Sequence, residues 1–308
     1  MKGPFHAGEL EMQRLAGEQT VGARNGEMIS NRIMGGALPF LRQQTWAIFG
    51  SQGADKRLWC SAVFGSPGFL SSASGYSLAI DRTMVANHPG DPLWQNLHQD
   101  AAAGVLAIDL GSRRRLRVNG TVSQCTPERI LISVAQAYPN CPKYITRRAI
   151  KVSKKQEDSI EPAAQGVQLS AAQQALVRRT DTLFLATAHP TAGIDASHRG
   201  GPAGFVKPID ESTLRIPDYA GNSMFNSLGN LIVDPHIGLA LLDFERDLCL
   251  QITGSGQVRF DVEDPAQLTG GTCRLVEISI EQWIELPLPV RLTTEFLGYS
   301  PFNPQPGI

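Results

Sequence analysis

The sequence predicts a mainly β (α+β) protein made of two tandem, duplicated antiparallel barrels with few short helices. The chain repeats itself, its apolar runs are short and bounded by Gly, Pro and Asp, and few stretches carry helical periodicity. At an offset of 136 residues "WAIFGS" (46–51) falls on "TLFLAT" (182–187), Ser61 on Ser197, Gly65 on Gly201, and Leu78 and Ile80 on Leu214 and Ile216. The offset then becomes 131, pairing Gly90 with Gly221 and Leu97 with Leu228. It settles at 134, where "GVLAIDLGSRRRLRVNG" (104–120) overlays "GLALLDFERDLCLQITG" (238–254) without a gap. Three blocks in one order read as a duplicated domain with insertions confined to loops.

The first 45 residues belong to neither copy and are expected to form one or two helices packed on the first barrel. Residues 46–150 make that barrel, opening with strands at 46–51 and 60–64. A linker follows at 151–169, because "KVSKKQEDSIEPAAQG" is polar and lacks periodicity. The second barrel takes 170–308. It opens with the helix "SAAQQALVRRT", whose Ser170 and Gln173 form a capping box. Strands follow at 182–188, 203–209 and 214–217. The stretch "NSMFNSLGNLIVDP" has helical spacing and stops at Asp234–Pro235. "GLALLDF" and "LCLQITGSGQVRF" are strands joined by the turn "ERD", and "VEISIEQWIEL" (276–286) alternates as a further strand.

A chain of 308 residues with 42% apolar and 19% charged residues is an ordinary globular protein of two domains. Its net charge of −1 lacks the basic excess that nucleic acid or an anionic membrane surface demands. No run approaches the roughly 18–20 apolar residues of a membrane span, and the amino terminus lacks a signal peptide's apolar core. Five cysteines without a CxxC pair argue against a disulfide framework or zinc site and for a reducing cytoplasm. Cys141 in "NCPKYI" is a candidate reactive thiol, although a half-buried, inert one is the commoner outcome. His189 and His236 stand apart from any carboxylate pair, so no metal site is expected.

The chemistry concentrates at "DASHRGGPAGFV" (195–206). Where the second copy reads Ser197–His198–Arg199–Gly200–Gly201, the first reads Ser61–Ala62–Val63–Phe64–Gly65. Likewise Asn222 faces Asp91, and Ser227 faces Asn96. The second copy thus gathers a cation, amide and hydroxyl donors and a helix start, whose free N–H groups and partial positive charge suit a phosphate. Arg199 and Lys207 would add charge-assisted hydrogen bonds, and an Asp at position 91 would repel the same ligand. One anion site per chain is expected, built mostly by the second half. "RRRLR" (113–117) reads as a solvated hairpin edge whose alternation scatters charge over both faces. Tyr144, Arg147 and Arg148 in "NCPKYITRR" are candidates to reach across to the second barrel's ligand.

The second half resembles the pyridoxamine 5′-phosphate oxidase-like, FMN-binding split-barrel family. The resemblance is carried by "DASHRGGPAGFVKPID", "TLRIPDYAGNSMFNSLGNLIVDPHIGLALLDFE" and "LQITGSGQV". "FHAGELEMQRLAG", "FGSPGFL", "RRRLRVNG", "YPNCPKYITRR" and "YSPFNP" extend it to a two-barrel branch over nearly the whole chain. What the resemblance implies is a six-stranded split barrel that binds FMN in a cleft where two barrels meet, both barrels here coming from one chain. By position, Ser197, His198, Arg199 and Lys207 would lie near the ribityl phosphate. Pro217, Asp218, Asn222, Asn226 and Ser227 would follow beside the flavin, and Gln251 would point in from a later strand. The family's Arg-x-x-x-x-Lys signature reads "PAGFVK" here, with Pro202 in the arginine position, and its Ser-Arg-Lys helix start reads "FNS". Pyridoxine phosphate is therefore not the expected substrate.

The implied function is an FMN-dependent oxidoreductase passing electrons from NADH, NADPH or a separate reductase to a small acceptor or oxygen. It would work as a monomer or homodimer. Some relatives continue after "SPFNP" into a reductase module; this chain reads "SPFNPQPGI", so that electron source is expected to be separate. The alternative from another class is a non-catalytic flavin- or haem-binding protein for storage or sensing.

Overall fold

The computed structural model describes residues 3–155 and 161–304. Part of the expected linker, 156–160, lies outside them. The first half contributes strands β1 (Trp46–Gln52), β2 (Leu58–Gly65), β3 (Ser77–Asp81), β4 (Ala102–Asp109), β5 (Arg114–Cys125) and β6 (Arg129–Pro139). After β7 (Arg147–Lys154) the second half contributes β8 (Thr182–His189), β9 (Gly193–Gly200), β10 (Thr213–Pro217), β11 (His236–Asp243), β12 (Leu248–Arg259) and β13 (Leu275–Pro287). A last strand, β14, covers Val290–Gly298.

The duplication is legible in the hydrogen bonding. Apart from two- and three-residue additions, the first sheet runs β3-β6-β5-β4-β1-β2 and the second β10-β13-β12-β11-β8-β9, all antiparallel. Position by position these are the same order. The protein is mainly β, two antiparallel sheets of one topology, each wrapped on its own apolar core.

Alternation explains how the halves join. Ala47 and Phe49 of β1 enter the first core, while Trp46 and Ile48 on the opposite face enter a third cluster. Leu183 and Leu185 of β8 enter the second core, and Phe184 and Ala186 enter that same third cluster. These strands are apolar on both faces because each is covered twice, by its own barrel and by the other. Two glycines let the backbones approach. A Cβ on Gly104 of β4 would stand 2.8 Å from the Ile194 carbonyl oxygen of β9, and one on Gly238 of β11 would stand 2.7 Å from the Leu58 oxygen of β2. The overlaid pair Gly104/Gly238 therefore marks the two crossings of one near-symmetric interface.

Helices α1 (Ala7–Ala16), α2 (Gln19–Gly26) and α3 (Leu38–Arg42) precede β1. Only α3 packs on the first barrel, through Phe40 and Leu41. Against expectation α1 lies on the second barrel, where Met12 joins its core. It crosses α6 (Asn226–Val233) so closely that a Cβ on Gly8 would meet the Gly229 carbonyl at 2.2 Å. A shorter helix, α4 (Leu93–Asn96), takes the corresponding place in the first barrel, and α5 (Ala171–Arg179) opens the second half with its Ser170/Gln173 capping box in place.

Three other expectations change. The polar segment read as linker is largely structured: β7 pairs with β14 from the far end of the chain, and Ala164–Gly166 pairs with β13. The strand expected over 203–209 shrinks to Lys207–Pro208. The strand proper is β9, inside the stretch read as a Gly-rich opening, and it pairs with β8 from Thr182↔Gly200 to His189↔Gly193. Its buried face carries Asp195 and Ser197, so the apolar alternation that announces a strand is missing.

Candidate functional site

Near-symmetric packing creates two clefts between the barrels. One lies between β9 and the loop before α6 on the second barrel and β5 with the segment after β6 on the first. The other lies between β2 and the α4 segment on the first barrel and β12 with the β13 end on the second.

In the first cleft β5 presents Arg115, Arg117 and Asn119 on one face, while Leu116 and Val118 on the other enter the first core. Arg117 is only 5% exposed and its Nη1 donates to Asp195 Oδ2 of β9 at 2.8 Å. Asn119 Nδ2 at 3.1 Å and Ser227 Oγ at 3.3 Å also donate to that carboxylate. A buried carboxylate is tolerable when surrounded in this way by donors and a cation. Arg115 donates from Nε to the Cys141 carbonyl at 3.0 Å and from Nη1 to His198 Nδ1 at 3.2 Å. Burial pulls the Arg115 guanidinium down to about 9, helped by Arg117 and Arg199. Burial, with the same arginines around it, drives His198 well below the usual imidazole range, so the ring is neutral.

Arg115, Arg117, Cys141, His198 and Arg199 line a cavity of about 70 Å³, together with Asn140, Lys143, Tyr144, Pro217, Asp218, Tyr219 and Asn222. That is room for several water molecules or one tetrahedral oxyanion. Four cations (Arg115, Arg117, Lys143 and Arg199) face one carboxylate, Asp218, on its walls. Asp218 accepts from Arg274 Nε at 3.0 Å, and burial raises its carboxyl above the usual range against the pull of Arg199 and Arg274. Among the described residues the buried atoms His198 Nε2, Arg117 Nε and Asn140 Oδ1 have no hydrogen-bond partner, and all three residues line this cavity. The aromatic rings of Tyr144 and Tyr219 stand 5.0 Å apart on its wall, and Tyr144 Oη donates to the Ala220 carbonyl across the interface. Gly200 has a different task from cradling a ligand. A Cβ there would meet the Tyr144 carbonyl at 1.9 Å, so the glycine admits the "NCPKY" segment of the first barrel.

The structure brings His198, Arg199, Pro217, Asp218 and Asn222 together on the cavity. Ser197 lies one step behind, its Oγ 3.0 Å from Ser227 Oγ. The start of α6 is taken by protein: Ser227 serves Ser197 and Asp195, and Asn226 Nδ2 donates to Glu9 Oε1 of α1 at 2.5 Å. Asn222 is no helix cap; its Oδ1 accepts from the Met224 amide in a turn before the helix. Two expected residues lie elsewhere. Lys207 is exposed on a neighbouring groove of about 380 Å³, which shares Pro217 and Tyr219 with the cavity. Gln251 belongs to the second cleft, where its Nε2 donates to Asp91 Oδ2 at 2.9 Å and Ser61 Oγ at 3.2 Å.

Arg115, Arg117 and Asn119 were not expected, because "RRRLR" was read as a solvated edge. Alternation does divide those charges, but the face holding Arg115 and Arg117 is buried by the other barrel. A signal was present: in the 134-residue register Arg117 falls on Gln251. Of Tyr144, Arg147 and Arg148 only Tyr144 touches the cavity, and the candidate thiol residue Cys141 lines it too. Arg147 donates to the Gly111 carbonyl and Arg148 pairs with Asp181 at 2.6 Å.

The pyridoxamine 5′-phosphate oxidase family model matches residues 169–291, which hold β8–β13, α5 and α6. The match lies within the second half of the chain. HupZ of Group A Streptococcus is 13% identical over 43% of this chain and 98% of its own, with a TM-score of 0.30. HutZ, the haem storage protein from Vibrio cholerae, is 15% identical over 38% and 93%, with a TM-score of 0.29. A Clostridium acetobutylicum protein related to general stress protein 26 is 12% identical over 40% and 90%, with a TM-score of 0.27. None of the curated proteins matches the chain. Among the described residues, no helix is long and apolar enough to cross a membrane, and no cluster of His, Cys, Asp and Glu is placed to hold a metal ion.

Proposed function

We propose that the first cleft binds FMN through its phosphate and that the protein is an FMN-dependent oxidoreductase, moving electrons from a reduced nicotinamide or a reductase to a small acceptor or oxygen. The observation that carries the reading is a cationic cavity whose buried donors, His198 Nε2 and Arg117 Nε, lack protein partners among the described residues. Leaving such donors buried without an acceptor costs about 1–3 kcal/mol each, and a phosphate oxygen removes that cost. The cavity is sized for the charged tail; Tyr144 and Tyr219 supply aromatic surface beside it.

Each residue's part follows from its partners. Arg199 makes no side-chain hydrogen bond among the described residues and is free to grip the phosphate with Lys143. Arg115 holds the His198 ring from one side, which leaves Nε2 as the donating nitrogen. Asp195 pins Arg117, so its Nε stays directed while its charge is balanced. Bound FMN supplies hydride and single-electron chemistry at its own ring; the protein supplies position and exclusion of water.

The test is the visible spectrum of the purified protein. Flavin bands near roughly 370 and 450 nm, bleached by NADH or NADPH, support the reading. A Soret band, or a protein that takes up no flavin, overturns it.

A further inference from the structure

The second barrel's share of the cavity wall is largely an irregular loop, residues 218–225 between β10 and α6, of which Asp218, Tyr219, Gly221 and Asn222 line the cavity. Two loop residues that are not glycine hold left-handed backbone, Ser223 at φ 60° and Phe225 at φ 57°. That region is sparsely allowed for residues with a Cβ, so the loop keeps this form only where its surroundings impose it. Much of what imposes it comes from the first helices of the chain. Glu18, at the turn between α1 and α2, accepts from Ser223 Oγ at 2.5 Å through Oε2 and from Arg274 Nη2 at 3.5 Å through Oε1. Arg274 in turn donates from Nε to Asp218 Oδ2 at 3.0 Å, and its guanidinium carbon stands 5.3 Å from the centre of the Phe225 ring. Asn25 Nδ2 of α2 donates to the Asn222 carbonyl at 2.8 Å, and Gln13 Nε2 of α1 to the Met224 carbonyl at 3.5 Å. A Cβ on Gly22 would stand 2.7 Å from the Ser223 carbonyl oxygen, so the backbone of α2 lies directly on the loop. One carboxylate therefore reaches both left-handed residues, Ser223 directly and Phe225 through Arg274. Glu18 itself lies outside the cavity's lining.

We propose that Glu18 is a positioning residue for the anion cavity: through Ser223 and Arg274 it clamps the 218–225 loop in the form that makes the cavity wall. The inference rests on the anion-site reading above and adds to it a residue that touches no ligand. Without the clamp Ser223 relaxes toward ordinary φ values, the binding-competent loop becomes a minor population, and apparent affinity falls by that fraction.

The test is calorimetric titration of FMN into the flavin-free full-length protein, its Glu18→Ala variant and the double variant Glu18→Ala/Ser223→Gly. Glu18→Ala is expected to bind FMN at least about tenfold more weakly. The double variant should recover most of that loss, because glycine takes the left-handed backbone at no steric cost. A general loss of folding would not be rescued by removing a second side chain. Amide hydrogen exchange supplies a readout without ligand: in Glu18→Ala it should quicken over 219–225 and stay unchanged in β8 and β12. Unaltered FMN affinity in Glu18→Ala overturns the proposal and leaves the anion site standing. A loss that Ser223→Gly does not relieve, or exchange that quickens throughout the second barrel, overturns the clamp and makes Glu18 a structural residue only. Failure of the wild type to bind FMN overturns the anion-site reading and this proposal with it. Should Glu18→Ala fail to fold, Asn25→Ala releases the same loop at the Asn222 carbonyl and should weaken FMN binding about threefold or more; unchanged affinity there overturns the proposal equally.

Discussion

The two clefts are made by corresponding strands of the two halves, yet one is hollow and cationic and the other is filled. On one side stand Arg117, Arg199 and His198 around about 70 Å³; on the other Gln251, Val63 and Ala62 line about 10 Å³. The serines are common to both, and their partners differ. Ser197 meets Ser227, whereas Ser61 donates to Asp91 at 2.7 Å, and Gln251 closes the group by donating to both. Duplication supplied two equivalent interfaces. A short list of side chains decides which one remains open.

The largest expected effect comes from the residue that most separates the clefts. Arg117→Met leaves Asp195 buried without its cation and should cost about 3–5 kcal/mol of stability. The counterpart Gln251→Met removes hydrogen bonds to Asp91 and Ser61, and should cost about 1–3 kcal/mol. Urea melts of the two variants measure the difference. Equal losses would mean that the Arg117–Asp195 pair is no more than another polar contact.

Each barrel also carries a buried acid by its helix, and pH acts on both. Glu9, which accepts from the His6 amide and from Asn226, is raised by burial to about 7. Burial raises Asp91 also. A raised carboxyl pKa means that the folded chain binds the proton more tightly than the unfolded one. Its stabilising effect is whole below the unfolded value of 4.5 and is lost as pH rises through about 7. For Glu9 the loss is at most about 3 kcal/mol. Glu9→Gln should flatten the fall in melting temperature between these pH values, and Asp91→Asn should remove the share of the fall that Asp91 contributes. A Glu9→Gln curve parallel to the wild type would show that the carboxyl is ionised throughout.

Ligand binding sharpens the contrast further. Arg199→Ala should weaken flavin retention about 10- to 100-fold, the worth of one or two charge-assisted hydrogen bonds. Val63→Ala, at the matching place, should leave affinity unchanged and cost only about 1–3 kcal/mol of core packing. Flavin content after gel filtration reads both. If the two variants kept a full complement, the assignment of one site to the Arg199 cleft would fall.

The parts of this molecule that were legible in the sequence are those in which side-chain pattern and neighbour are local. Apolar runs marked β1, β8, β11 and β12, and Ser170 with Gln173 marked the start of α5. Strand β9 was hidden because its buried face is polar, with Asp195 satisfied by Arg117 and Asn119, 78 and 76 positions earlier. The first two helices were placed on the wrong barrel for a similar reason. What holds α1 is Glu9 on Asn226 and Gly8 against Gly229, contacts that no local pattern announces. The helix overlay also slipped. Ser227 was matched to Asn96, but Asn96 Nδ2 donates to Ser51 Oγ of β1 at 3.0 Å, and it is Asn230 that donates to Thr187 of β8, also at 3.0 Å. Ser51 and Thr187 coincide in the 136-residue register, so Asn96 and Asn230 are the true counterparts.

The smallest expected effect tests the edge of the open cleft. Family resemblance assigns Lys207 to the phosphate, whereas the side chain is exposed on the adjoining groove with Ile209, Arg215 and Leu268. An exposed cation at that remove acts through solvent and salt, so Lys207→Ala should change flavin affinity by no more than about twofold at physiological ionic strength. The cavity and the groove share Tyr219 and Pro217, which form a common wall between them. A loss of tenfold or more in Lys207→Ala, with Arg199→Ala also impaired, would mean that one ligand reaches past that wall and engages both. The cavity would then be one end of a longer site, and the contrast between the clefts would lie in how far each opens onto the second barrel as well as in charge.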